Sequence, residues 1–295
     1  MKTEPGCIPC IINQCITTLN LTDCEDNLKK ETVKRLLSKL SEIDFQMPPA
    51  YNSDFAYIIA REVTGVKDPY YDLKKQYNRL ALEIYPRLKE IVRSSKDKVY
   101  TAAKIAVEGN VIDLGININK GKPLDFNKIL EDIKNVPFSV DDYKELKKSL
   151  DKSKDILYLS DNAGEIVFDR VFIEELISLN KNVVLSVKSG PIINDVTVED
   201  VRETGLDKLV RVIETGNDRV GVNFKSASDE FLKEFKEADI IIAKGQGNFE
   251  TLDDIYANTF FILKAKCEKI ARALEVNYLD IALAKRKKRW GNKKI

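Results

Sequence analysis

Apolar residues recur at helical spacing along the first half of the chain. Val33, Leu36, Leu37, Leu40 and Ile43 follow an i, i+3, i+4 pattern, and Phe126, Ile129, Leu130 and Ile133 repeat it. This spacing puts each set on one helix face, so residues from about 8 to 150 are expected to form a helical bundle. Near residue 155 the pattern changes. Short β-branched and aliphatic runs at 156–159, 183–187, 209–213 and 240–243 alternate with helical stretches at 171–179 and 230–235. Alternating strand and helix predicts a doubly wound, mainly parallel sheet covered on both faces, a Rossmann-like α/β/α sandwich. The expected division is a helical domain over 1–150, contributing to the pocket, and an α/β domain over 151–295. Residues 252–284 read as closing helices. "QMPPAYNSD" at 46–54 is the most loop-like segment of the first half, and no linker follows it, so the helical part is expected to pack on the sheet.

Charge narrows the partners. The chain has 48 Lys and Arg against 47 Asp and Glu, so no global field draws it to nucleic acid or an anionic membrane, and a small molecule is the expected partner. The basic run Lys285-Arg286-Lys287-Lys288-Arg289 reads as a solvated helix end. No run approaches the roughly 20 apolar residues that span a bilayer. The start, Met1-Lys2-Thr3-Glu4-Pro5-Gly6, lacks the pattern of a secretory signal, and a cytoplasmic location is expected. There is no histidine, which removes histidine triads and histidine metal sites. Chemistry falls to carboxylates, amides, lysines and five cysteines.

In an open parallel sheet the ligand crevice lies outside the carboxyl ends of the strands. Each predicted strand ends there in polar groups beside glycine: Asp161, Asn162, Gly164 and Glu165; then Lys188, Ser189, Gly190, Asn194 and Asp195; then Lys244, Gly245, Gln246, Gly247 and Asn248. Two carboxylates and an amide oxygen, from Asp161, Asn162 and Asp195, suit a hard divalent cation. Lys244 followed by glycines suits phosphate oxygens. Each motif also has a structural reading. Asp-Asn after a strand is a common helix cap, and Thr197–Asp200 reads as a capping box that accounts for the loop around Asp195. "VEGNVIDLG" at 107–115, with Asn110 and Asp113, is a turn or part of the pocket wall. Lys74, Lys75 and Asn78, after Asp68-Pro69-Tyr70, read as the solvated face of a proline-started helix. Cys7 and Cys10 suit a soft metal, a redox couple or a disulfide, but with Cys267 they are one thiolate short of a closed zinc site. Cys15 and Cys24 read as helix packing.

Taken together, "DNAGEIVFD", "INDVTVED" and "AKGQGNFETL", with "DPYYDLKKQYN" and "EGNVIDLG" upstream, resemble a family once described as a domain of unknown function and now as metal-dependent damage-control phosphatases. It is related to proteins described as acidic-residue methyltransferases. The resemblance covers nearly the whole chain. It implies that Asp161, Asn162 and Asp195 are metal ligands and that Lys244, with Gly245 beside it, lies on the phosphate side. Glu165 falls at the family's acidic position, and Asn110 and Asp113 match its Gly-Asn-x-x-Asp segment as substrate-binding residues. Cys7, Cys10 and Cys267 match the Cys-x-x-Cys and Lys-Cys signature of its archaeal-type branch, a structural thiol site or second metal site. The implied activity is hydrolysis of small phosphomonoesters, sugar phosphates or damaged phosphometabolites, with Mg, Mn, Co or Ni as the divalent metal. A metal-activated water and a covalent aspartyl-phosphate are both open routes, with Glu165 or Asp113 acting on the water in the first. Two other classes stand beside this one: a methyltransferase using S-adenosylmethionine, for which "DNAGE" offers one glycine where several are usual, and a non-catalytic nucleic-acid or protein-binding module. The sequence leaves the oligomeric state open.

Overall fold

The computed structural model describes residues 1–109, 126–255 and 257–286. Asn110, Asp113 and the basic tail beyond Arg286 lie outside the described residues.

Three helices open the chain, α1 (Cys7–Asn20), α2 (Asp26–Leu40) and α3 (Pro49–Thr64). They share a small core of Ile11, Cys15, Leu19, Leu36, Leu40, Ala56 and Ala60, while Leu37 of the predicted stripe stays exposed. The loop-like 46–54 segment in fact starts α3, with Pro49 in the first turn, where its missing N–H costs nothing. Next come α4 (Tyr71–Ser94), α5 (Lys98–Glu108), α6 (Phe126–Asn135), the two-residue strand β1 (Val140–Asp141) and α7 (Tyr143–Lys152). Their apolar residues, from Tyr77 through Leu150, join the core under the sheet.

The α/β part runs β2 (Asp155–Leu159), α8 (Glu165–Ser178), β3 (Asn182–Val187), α9 (Val198–Thr204), β4 (Arg211–Glu214), α10 (Asp229–Glu237), β5 (Ile240–Lys244), α11 (Gly245–Leu252), β6 (Thr259–Lys264), α12 (Glu268–Leu274) and β7 (Ile281–Lys285). The seven described strands form one sheet in the order β1-β7-β6-β5-β2-β3-β4. All neighbours are parallel except β6 and β7. Alternate strand residues feed two cores. Ile156, Tyr158, Ile240 and Ile242 lie on the α4, α5 and α8 side, and Leu157, Leu159, Ile241 and Ala243 on the α10, α11 and α12 side. The mainly parallel α/β expectation therefore holds. The expected closing helices over 252–284 do not: this region holds β6, α12 and β7. Both strands are buried on both faces, so TFFILK and IALAK show continuous apolar runs instead of alternation. No helix among the described residues is long and apolar enough to cross a membrane.

Register places the site. Leu159 stands opposite Ser186 on β3 and Ala243 on β5, so all three strands deliver their next residues to one rim. The chain reverses direction across the sheet at β2, between β3 and β5, which is where a doubly wound sheet opens its crevice.

The α1–α3 cluster is fastened to that rim. Tyr51 donates to the Val222 carbonyl (2.7 Å), Asp54 accepts from the Val220 amide (3.0 Å), and Arg61 bonds the Pro191 carbonyl (3.0 Å) and Asp218 (2.8 Å). Asp54 is 4% exposed, and burial pushes its carboxyl up to about 7, against the pull of the Val220 amide, Arg219 and Lys188. Between about pH 4 and pH 7 the unfolded chain has released this proton and the folded chain has kept it, so rising pH favours unfolding. Above pH 7 the charged form carries the full penalty, up to about 4 kcal/mol. Asp54→Asn keeps the acceptor and removes the charge. It is expected to raise the melting temperature at pH 8, with the gain shrinking toward zero near pH 4; equal melting curves at both pH values would show that Asp54 has found compensation.

Candidate active site

After β2 the chain does not turn directly into α8. The Asp161 carbonyl accepts from the Val196 amide (2.9 Å), the Ala163 amide donates to the Asn194 carbonyl (2.8 Å), and Asn162 pairs with Asp195 in an isolated antiparallel bridge. Two segments distant in sequence are thus zipped edge to edge. Ile193, next to Asn194, has φ +45°, a left-handed conformation unusual for a β-branched residue. Such backbone costs of order 1–3 kcal/mol and is held by its surroundings. The capping box expected at Thr197–Asp200 is present on α9, but it does not engage Asp195. Asp195 instead faces a cavity of about 880 Å³, whose wall also includes Asp161, Asn162 and Asn194.

The donor set is well defined. The Asn162 amide nitrogen donates to Asp161 Oδ2 (2.8 Å) and to Glu165 Oε2 (3.2 Å). Carboxylates only accept, so the NH₂ group is committed to them and the amide oxygen is what Asn162 offers the cavity. Asp195 Oδ2 lies 3.6 Å from the Lys188 ammonium, which also donates to the Gly221 carbonyl. Gly245, at the start of α11, has φ +75°, and a Cβ there would fall 1.9 Å from Asp161 Oδ2. The missing side chain is the space that the Asp161 carboxylate occupies. Two carboxylates and one carboxamide oxygen at a cavity wall fit a hard divalent cation.

Lys244 and Glu165 stand elsewhere than expected. Lys244 is 0% exposed and is not part of the cavity wall. Its three ammonium donors go to the Ala106 carbonyl (2.8 Å), Asp169 Oδ1 (2.6 Å) and Glu165 Oε1. Those bonds use its whole donor capacity in this structure and place it in a buried ion network. Glu165 is equally buried, is not part of the cavity wall, and is linked to it through Asn162. Burial holds the Asp169 carboxyl up at about 7 against the attraction of Lys244; the same two carboxylates hold the lysine charged despite its burial.

Sequence reasoning missed the bracing from α4. Lys74 and Asn78, expected on a solvated face, are buried. Lys74 pairs with Asp200 (2.7 Å), while Asn78 donates to Asp200 Oδ1 (3.0 Å) and accepts from the Gly164 amide (2.7 Å). One side chain thereby fixes both the turn before α8 and the cap of α9. Lys75 alone keeps the expected surface role, pairing with Glu199 and Glu203.

Cys7, Cys10 and Cys267 line the same cavity, and all five cysteines are free thiols. Burial pushes the Cys10 and Cys267 thiols up, which disfavours thiolate. Among the described residues no group of three or more Cys, Asp or Glu is placed to hold a metal ion, so a cation site at the Asp pair depends on the Asn162 oxygen. Cys15 packs in the helical core, with Cys24 against it. Glu250, another wall residue, is held by burial up at about 7. It lies within the AKGQGNFETL motif, after the glycines of α11.

A family profile described as the damage-control phosphatase ARMT1-like domain matches residues 3–280. The chain belongs to this family. Damage-control phosphatase PH1575 of Pyrococcus horikoshii is 37% identical over 281 residues, covering 94% of this chain and 95% of that one. A damage-control phosphatase of Archaeoglobus fulgidus is 32% identical over 286 residues, 95% and 98% of the two chains. The crystal structure of the Pyrococcus protein, described as a DUF89 family protein, superposes with a TM-score of 0.85 at 34% identity, covering 97% of this chain and all of that one. The damage-control phosphatase family thus agrees with the function expected from the motifs, and the methyl-transfer alternative is not favoured.

Proposed function

We propose that the chain hydrolyses small phosphomonoesters of damaged or surplus metabolites, with a divalent cation held by Asp161, Asn162 and Asp195. The observation that carries this reading is the zipped pair of segments, 161–163 and 194–196, which brings these side chains to one cavity wall. A cation bound there supplies Lewis acidity toward a phosphoryl oxygen and lowers the pKa of water; Mg, Mn, Co and Ni all suit the oxygen donors. The chain's own residues do the rest. The amino end of α11, with Gln246 and Gly247 in the cavity wall beside Asp161, points backbone N–H groups and the positive end of the helix at the phosphoryl group. Gln14 and Tyr57 of the α1–α3 cluster, with Tyr70 just ahead of α4, also line the cavity, where they hold the organic part of the ester and exclude water.

The test is release of inorganic phosphate from a panel of sugar and nucleotide monophosphates, after chelation and then with each metal restored singly. Activity that returns with a divalent cation supports the proposal. Full turnover in excess chelator overturns the metal assignment, and no turnover on any ester with any metal overturns the phosphatase reading.

A further inference from the structure

A buried chain of polar side chains runs from the core to the cavity. Tyr158 donates to Asp169 Oδ1 (2.8 Å), Lys244 donates to the same oxygen and to Glu165 Oε1, and Glu165 Oε2 accepts from the Asn162 amide. Tyr158, Asp169, Lys244 and Glu165 are each 0% exposed. Resting on the cation site proposed above, we infer that this chain is a positioning device: it sets the orientation of the Asn162 amide and through it the affinity of the site for a divalent cation. Tyr158 and Asp169 are positioning residues on this assignment, and Lys244 and Glu165 act through Asn162 rather than on phosphate.

The argument begins with the two faces of an amide. Asn162 helps a cation only when Oδ1 faces the cavity; turned by half a rotation, it presents NH₂ hydrogens and repels the ion. Glu165 Oε2, together with Asp161 Oδ2, selects the first orientation because a carboxylate oxygen accepts and cannot donate. A buried carboxylate needs a counter-charge, and Lys244 supplies it, fixed by three bonds, one to the Ala106 carbonyl of α5 and two to carboxylates of α8. Asp169 completes the lysine's shell and is itself fixed by the Tyr158 hydroxyl. Asp169 Oδ2 is buried without a hydrogen-bond partner among the described residues. An unsatisfied buried acceptor costs about 1–3 kcal/mol, so stability alone does not explain the arrangement. The face of the sheet agrees: Tyr158, Ile242 and Lys244 share one side by strand alternation, beneath α8, where Glu165 and Asp169 lie one turn apart.

The decisive variant is Glu165→Gln. Lys244 keeps the glutamine oxygen, so the glutamine NH₂ meets the Asn162 NH₂, donor against donor. Asn162 then either keeps its 2.8 Å bond to Asp161 and is pushed out of place by the clash, or turns over, loses that bond and aims its hydrogens at the cation; both spoil the position of its oxygen. Loss of such an outer partner typically weakens metal affinity about 10–100-fold. Mn²⁺ binding is read by calorimetry on the full chain, with the metal-free melting temperature as the folding control. The expected result is a loss in that range for Glu165→Gln and a smaller one, about three- to tenfold, for Tyr158→Phe, both folded. If wild type binds Mn²⁺ and both folded variants bind it equally well, the positioning role is overturned while the cation site stands. If wild type itself fails to bind any of Mn²⁺, Mg²⁺, Co²⁺ or Ni²⁺, the cation site falls and the inference with it. Should Glu165→Gln not fold, Tyr158→Phe decides: unchanged affinity overturns the role.

Discussion

Replacing Asp195 with asparagine is expected to cut kcat/KM for metal-dependent phosphate release by about a thousandfold or more, roughly 4 kcal/mol of transition-state stabilisation, with the fold retained. The substitution keeps the shape of the side chain and removes one of the two formal charges that hold the cation. Asparagine is the better choice over alanine here. Asp195 is 5% exposed and lies 3.6 Å from a buried Lys188 ammonium; both variants take the charge away from that lysine, but full truncation also removes the nearby oxygen acceptor and opens a gap, which mixes a larger folding defect into the result. Asp161→Ala is the companion. Its carbonyl, which carries the bond to the Val196 amide, survives any side-chain change, so the zipped segments persist while a ligand is lost. Phosphate release measured across a range of Mn²⁺ concentrations, with melting curves alongside, checks both. Wild-type turnover in either folded variant would remove the cation from the proposed reaction.

The gathering of Asp161, Asn162 and Asp195, the ligands proposed above, at one cavity wall was legible because oxygen-bearing residues follow strand after strand, and a parallel sheet gathers its strand ends. The direction of the side chains was less so. Lys244 follows β5 just where a phosphate-binding lysine is expected, yet strand alternation already places it on the same face as Ile240 and Ile242. That face lies under α8 and not in the crevice. Asp169 carried a signal of the same kind, standing four residues after Glu165 on one helix face. Lys74 and Asn78 carried none: a polar helix face looks the same in sequence whether water or a buried aspartate opposes it, and only the docking of α4 on α9 decides. The strands β6 and β7 were hidden because burial on both faces leaves no alternation, and TFFILK and IALAK, poorer in β-branched residues than NVVLSV of β3 and IIIAK of β5, read equally as helix.

Gly245→Ala is the second substitution with a large expected effect, and it separates two costs that a glycine can conceal. At φ +75° an alanine carries backbone strain of about 1–2 kcal/mol. Its Cβ would also stand 1.9 Å from Asp161 Oδ2 and 2.1 Å from Asp161 Cγ, a separation no packing tolerates. Relief comes from swinging the Asp161 carboxylate away or from displacing the start of α11. Either movement breaks the 2.8 Å bond from Asn162 to Asp161 and spoils the donor set. Gly65, the C-cap of α3, supplies the control. It has φ +72° but nothing within 4 Å of a Cβ, so Gly65→Ala bears the backbone strain alone. Both variants are expected to melt a few degrees below wild type, but only Gly245→Ala is expected to lose Mn²⁺ binding and phosphate release, each by a hundredfold or more, about 3 kcal/mol. If the two variants kept equal activity, the close approach of Asp161 to the α11 backbone would have no part in the site, and the glycine would serve the turn alone.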